Sequence, residues 1–203
     1  MVIFKSILQR LYPYGVFRMG KAVYLTFDDG PIPEVTPRVL EILARYKVKA
    51  TFFMVGENID KYPEVYEQVV KAGHSIGNHT YNHIKGWRCS TKAYLENVAK
   101  FPKKTHLFRP PYGRTWWWQR RALAKNGYAI CLWDVLTHDY NACYSPQRML
   151  GIIKHYTRNG SIINFHDSVK SNERMLAVLP QAIEWLQAQG FELRSLENLQ
   201  RNA

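Results

Sequence analysis

Two carboxylates stand side by side at Asp28 and Asp29, in the run Tyr24-Leu25-Thr26-Phe27-Asp28-Asp29-Gly30-Pro31. The apolar lead-in and the Gly-Pro exit place them where a strand stops. Neighbouring side chains of a strand point to opposite faces. Two adjacent acids at a strand end therefore make either a polar turn or two groups with separate tasks. Further on, His79 and His83 are four apart. If Thr80–Ile84 turns as a helix, both imidazoles face one side, within reach of one metal ion. Alone, such a pair is a weak signal, and two surface or core histidines is the plainer reading. A carboxylate at the end of a nearby strand changes the balance, because two His and one Asp leave positions open for water and substrate. That is the catalytic rather than the closed structural arrangement. Imidazole-rich ligation without thiolate suits Zn²⁺, with Co²⁺, Ni²⁺ or Mn²⁺ as alternatives. One Asp completes the metal site, and its neighbour stays free as a base.

Other reactive residues recur along the chain. Arg109 precedes Pro110-Pro111-Tyr112-Gly113, and reads either as a surface ion pair or as the charge partner of an acidic base. His166 closes a run containing Ile162, Ile163 and Phe165. It reads as a strand-end histidine bonded to backbone, or as a general acid, since imidazole changes charge near neutral pH. Asp134 and Asp139-Tyr140 lie between these. The run Trp116-Trp117-Trp118 would either stack on sugar rings beside a site or pack at least two of its rings into the core.

The elements that must position these groups follow from periodicity. Apolar β-type runs are expected over Ala22–Phe27, Ala50–Val55, His74–Gly77, His106–Phe108, Ala129–Trp133, Ser161–Phe165 and Phe191–Arg194. Helical patterns fill Thr36–Tyr46, Glu64–Ala72, Thr91–Ala99, Trp116–Asn126, Pro146–Arg158 and Met175–Gln189, and Gly73, Gly127 and Gly190 each follow a helix as stop residues do. Strand and helix alternating with short links means parallel strands with crossover helices. No glycine-rich phosphate loop follows the first strand, which argues against a nucleotide-binding sheet. The fold class is α/β, a deformed (β/α) barrel of about seven units in a single domain. In such barrels the active site lies at the carboxyl ends of the strands. Each cluster of reactive residues is expected at that one end, Asp134 included.

The 203 residues suit one domain with a sizeable core. The formal charge of +12 favours anionic partners. The basic residues are scattered, with no helix-turn-helix, RNP or finger pattern, so specific nucleic-acid binding is not expected. Cys89, Cys131 and Cys143 show no CxxC spacing and read as buried thiols in a reducing compartment. Residues 1–20 form a separate basic segment, with Ile3, Phe4, Ile7, Leu8 and Leu11 at helical spacing. It reads as an interfacial membrane helix or as a short helix closing one end of the core. No signal peptide or membrane-spanning stretch is evident. The expected location is cytoplasmic, with weak peripheral association at the anionic inner face of the membrane as the alternative.

In order along the chain, Thr26-Phe27-Asp28-Asp29-Gly30, His79-Thr80-Tyr81-Asn82-His83, Arg109-Pro110-Pro111-Tyr112-Gly113, Asp139-Tyr140 and His166-Asp167 resemble the motifs of the polysaccharide deacetylase family with the NodB-homology domain, carbohydrate esterase family four. The resemblance runs from about Lys21 to about Leu196, within a domain assigned to residues 21–203. It implies metal-dependent removal of acetyl from an N-acetylated amino sugar in a peptidoglycan- or chitooligosaccharide-like glycan. It also implies roles. Asp28 would be the base, Asp29, His79 and His83 the metal ligands, and Arg109 the group that holds Asp28. Tyr112 would lend its backbone N–H to the oxyanion, and Asp139 would orient His166, the acid. Pro111, Tyr140 and Asn164 would line the substrate. Two positions depart from the family pattern. Tyr140 stands where Trp is common, and Asn164 stands where Leu usually lines the acetyl methyl pocket. The latter predicts an altered acyl preference. A hydrolase of another amide, such as a small cyclic amide, and a non-catalytic carbohydrate- or membrane-surface-binding barrel are the alternatives.

Overall fold

The computed structural model describes residues 12–197. The predicted amphipathic positions Ile3, Phe4, Ile7, Leu8 and Leu11 lie outside the described residues. The strands are β1 (Gly15–Val16), β2 (Val23–Asp28), β3 (Thr51–Met54), β4 (Ser75–Asn78), β5 (Leu107–Phe108), β6 (Ala129–Cys131), β7 (Val135–Leu136), β8 (Ile162–His166) and β9 (Leu193–Arg194). The helices are α1 (Thr36–Arg45), α2 (Gly56–Lys61), α3 (Pro63–Lys71), α4 (Thr91–Ala99), α5 (Trp117–Lys125), α6 (Pro146–Tyr156) and α7 (Asn172–Ala188). Every predicted element is present within a few residues. The short β1 and β7 and the six-residue α2 were not anticipated, since elements that small carry no measurable period. Among the described residues no helix is long and apolar enough to cross a membrane.

The strands form one parallel sheet in the order β1-β6-β5-β4-β3-β2-β8-β7, with β9 paired to the start of β2. The sheet curls into the deformed barrel expected from the sequence. Its open edges are β1, which pairs with β6, and β7, which pairs with β8. Only Leu132-Trp133-Asp134 separate β6 from β7, so the chain passes from one side of this opening to the other within three residues.

All six residues of β2 are buried, and they divide by parity. Val23, Leu25 and Phe27 face the helices, in a core shared with Val39 and Leu43 of α1, Met149 and Ile153 of α6, and Leu179, Ile183 and Leu186 of α7. Phe27 stacks between Phe52 and Phe165 at centroid distances of 5.0 and 5.6 Å. Burying several such rings and aliphatic side chains, each worth roughly 1.5–3 kcal/mol, fixes the register from outside the barrel. The other parity of β2 then points inward. Its partners on β8 are fixed by the ladder as Tyr24 with Ile162, Thr26 with Asn164, and Asp28 with His166. The barrel interior is thus apolar at the base and increasingly polar toward the carboxyl ends.

Asp134 departs from the expected arrangement. It precedes β7 and accepts hydrogen bonds from Ile162 N (2.9 Å) and Ser161 Oγ (3.0 Å), with Arg18 and Arg158 beside it. It therefore sits at the amino ends of the strands, opposite the other reactive clusters, because β7 begins after it rather than ending there. The cysteines also differ from expectation: Cys131 is buried, Cys89 half-buried and Cys143 exposed, and all three are free.

Candidate active site

Asp28 is the last residue of β2, and Asp29 turns away from the strand in the left-handed region at φ 85°. That turn is what lets two adjacent carboxylates serve different groups. Asp29 N donates to Phe53 O, and Asn58 of α2 donates to Asp29 O at 2.8 Å, which pins the turn. Gly30 lies against Asp167, whose carboxylate accepts from Gly30 N and from Thr36 Oγ1. A Cβ at position 30 would fall 2.1 Å from Asp167 Oδ2, so only glycine fits. Burial raises the Asp167 carboxyl to about 8.

His79 and His83 reach the same side by a loop, not by the helical turn considered from their spacing. Thr80 (φ 67°) and His83 (φ 57°) are both left-handed. The loop is held by Thr80 N donating to Asn78 Oδ1 and Ile84 N donating to Thr80 Oγ1, local bonds that compete with helix formation. The rings lie 5.1 Å apart. His83 Nε2 is 3.2 Å and His79 Nε2 3.7 Å from Asp29 Oδ1. These three side chains form the group among the described residues whose ligand atoms lie within 4.8 Å of one another.

The triad fits a divalent ion on two grounds. Two ligands about 2.0–2.1 Å from a tetrahedral zinc are separated by roughly 3.4 Å, close to the observed spacings. His79 Nδ1 lies 2.8 Å from Arg109 O, so it carries the proton and leaves the Nε2 lone pair toward Asp29. Burial pushes His79 down to about 4, which keeps the imidazole neutral as a ligand must be. Burial opposes ionisation of Asp29, but its hydrogen bond to His83 and the charges of His166 and His79 outweigh it and hold the carboxyl well below the usual range.

Beneath Asp28 lies Arg109, fully buried in the barrel. Its Nη1 donates to Asp28 Oδ1 (2.7 Å), Thr26 Oγ1 (2.8 Å) and Asn164 Oδ1 (2.7 Å). Nε and Nη2 donate to the carbonyls of Cys131 and Leu132 at the end of β6, both at 3.1 Å. The guanidinium also sits over the Phe53 ring at 4.0 Å. The five donors of an arginine are needed to serve this many acceptors.

Asn164 belongs to a polar layer beneath the carboxylates. Its side chain is fully buried, and Nδ2 donates to Asp28 Oδ2 at 3.1 Å while Oδ1 accepts from Arg109. It lies one layer below His166, opposite Thr26, with its amide engaged by Asp28 and Arg109. Thr26 was likewise missed as a member of this polar layer. The available signal was a polar residue of inward parity in each of two otherwise apolar strands.

His166 meets Asp139 twice: its Nδ1 is 2.7 Å from Oδ1, and its backbone N donates to Oδ2 at 2.7 Å. Burial alone would push His166 down, but the Asp139 hydrogen bond and charge, helped by Asp29 and Asp28, raise it to about 9. The Tyr140 ring stands edge-on to His166 at 5.1 Å. Pro111 is buried, and Tyr112 is half exposed with φ 61°. The Tyr112 ring packs 4.8 Å from His83 and under Lys85 Nζ. The eleven residues to which the family resemblance gives roles thus fall at the carboxyl end of the barrel or immediately beneath it, and Asp134 does not. Trp116, Trp117 and Trp118, by contrast, are all exposed, at 42, 51 and 42 %, so the expectation that two would be buried fails.

A sequence profile of the family described as polysaccharide deacetylase matches residues 18–131. A peptidoglycan-N-acetylglucosamine deacetylase of Bacillus cereus is 34% identical over 192 residues, covering 89% of each chain. A chitooligosaccharide deacetylase of Bradyrhizobium is 31% identical over 209 residues, covering 92% of this chain and 94% of the other. Among solved structures, the Bc1960 peptidoglycan N-acetylglucosamine deacetylase superposes with a TM-score of 0.88 at 27% identity, covering 97% of this chain and 96% of the other.

Proposed function

The chain belongs to the polysaccharide deacetylase family and is an N-deacetylase of acetylated amino sugars in glycans, and we propose that Asp29, His79 and His83 hold a divalent metal, zinc by preference, while Asp28 and His166 move the protons. The substrate class proposed is a peptidoglycan- or chitooligosaccharide-like strand, the class on which the two relatives act by name. When bound, the metal supplies Lewis acidity that polarises the amide carbonyl and eases proton loss from water.

The chain's own residues supply the rest. Asp28, oriented by Arg109 and Asn164, takes the proton of the attacking water as its oxygen bonds to the carbonyl carbon. The Tyr112 N–H is offered to the developing oxyanion. An amine leaves poorly unless protonated, so His166 donates its proton to the sugar nitrogen as the C–N bond breaks. Asp139 fixes the His166 ring and favours its protonated form. The products are acetate and the free amino sugar.

The observation that carries this reading is the placement of an arginine-held carboxylate and an aspartate-held histidine on neighbouring strand ends, beside the Asp29, His79 and His83 cluster. The test is deacetylation of chitooligosaccharide and of peptidoglycan fragments by metal-loaded protein, read by mass spectrometry. Loss of one acetyl per turnover, abolished in His79→Ala and Asp28→Asn, is expected. Retained activity in both variants would overturn the assignment.

A further inference from the structure

The exposed tryptophans form a surface that catalysis does not use. Trp116 and Trp118 stack at 5.0 Å and 8°, and Trp117 meets Trp118 edge-on at 5.7 Å. The one-turn helix Gly86–Arg88 lies against the start of α5, where Gln119 Nε2 donates to Gly86 O at 2.8 Å. Trp87, itself 41% exposed, lies at 4.4 Å under the guanidinium of Arg114, which stands two residues before Trp116 in the chain. Helical spacing puts Arg121 and Lys125 on the face of α5 that carries Trp117 and Trp118, while Gln119, Arg120 and Leu123 face inward. Water-exposed clustering of the three indoles of Trp116, Trp117 and Trp118 costs hydrophobic free energy unless something covers them.

We propose that this face docks on an anionic bilayer surface. Indoles at the headgroup level with arginine and lysine around them are the composition that interfacial lipid binding requires. Charge agrees: from Lys85 to Tyr128 the only acidic residue is Glu96, while Lys and Arg recur throughout. The N-terminal chain agrees as well. Tyr12 lies under the Arg120 guanidinium at 3.8 Å, and Arg120 Nε donates to Pro13 O. Tyr12 and Pro13 are thus held at this same helix. A glycan strand is the other occupant that indoles suit. It is disfavoured because Trp116 and Trp118 consume a ring face on each other, and because a basic surface repels the cationic amino sugar that deacetylation creates. Tyr112, which packs on His83, lies two residues before Arg114, so the docked face adjoins the mouth of the site.

The test is flotation of the full chain with vesicles of phosphatidylcholine alone and of phosphatidylcholine with one quarter phosphatidylglycerol. Binding is expected only to the anionic vesicles, weakening as salt rises from about 0.05 to about 0.5 M. Trp117→Ala/Trp118→Ala should lower partitioning about tenfold or more, and Arg121→Glu about fivefold or more. Both should leave kcat/KM on free chitooligosaccharide unchanged, which also reports that they fold. Failure of the wild-type chain to bind, or unchanged partitioning of both variants, would overturn the proposal. So would a rise in KM for long chitooligosaccharides in the double variant with vesicle binding intact, which would assign the face to glycan.

Discussion

Asp28 and His166 end adjacent parallel strands in direct register, each clamped from behind by a residue of opposite charge type: Arg109 for the acid, Asp139 for the imidazole. A proton acceptor and a proton donor are thus held one strand spacing apart, about 4.8 Å. The backbone of each is fixed by the sheet, and the His166 ring is then oriented by Asp139 from the turn after β7.

Asp28→Asn should retain the metal and lose roughly 10²–10⁴ in kcat, the range that a positioned general base contributes. Asp29→Asn should lose metal instead. Elemental analysis of the two purified variants checks this, and the reverse pattern would exchange the two roles.

His166 gives a pH dependence with a definite sign. Its pKa in the fold is raised from 6.5 to about 9, so the stabilisation by Asp139 is fully present below pH 6.5 and is lost as pH rises through about 9. NMR titration of the metal-free protein should find His166 titrating well above an ordinary histidine. Asp139→Asn should bring it down, and should move the alkaline limb of kcat/KM in the loaded enzyme to lower pH, because a general acid works only while protonated. An alkaline limb unmoved by Asp139→Asn would take His166 out of the acid role.

The sequence alone predicts that Asn164→Leu shifts acyl preference; the buried position of the side chain predicts otherwise. Removing the amide leaves Arg109 and Asp28 each short of a buried partner, at roughly 1–3 kcal/mol. Thermal unfolding should show that loss, and kcat should fall as Asp28 loosens. The ratio of N-acetyl to N-glycolyl turnover should stay constant. A changed ratio would return Asn164 to the acyl pocket.

What the sequence made legible was what repeats or what reacts. The alternating parity of Val23–Asp28 and the adjacent acids were both readable, because strand period and chemistry are local properties. The left-handed loop that brings His79 to His83 was not, since it depends on Asn78 and Thr80 bonding to backbone that a helix would have used. Asp134 was misplaced for a similar reason. Whether a polar residue ends one strand or precedes the next is decided by pairing across the sheet, and β7 is too short to announce itself.

Arg109→Met should cost about 3–5 kcal/mol, as removal of one partner from a buried ion pair does. Urea unfolding measures it. Arg109→Lys should recover little, because one ammonium cannot reach the carbonyls of Cys131 and Leu132 together with Asp28. Both variants should still load metal, since it is the backbone carbonyl of Arg109 that orients His79.

That last distinction reaches beyond one variant. Arg109 carries two tethers, a carbonyl to the metal arm and a guanidinium to the base. The end of β5 therefore acts as a common anchorage, and any displacement of its backbone moves ligand and base as one body. Only rim loops that carry neither a ligand nor the clamp of the acid can be rebuilt for a new glycan, since His79 and His83 follow β4 and Asp139 follows β7.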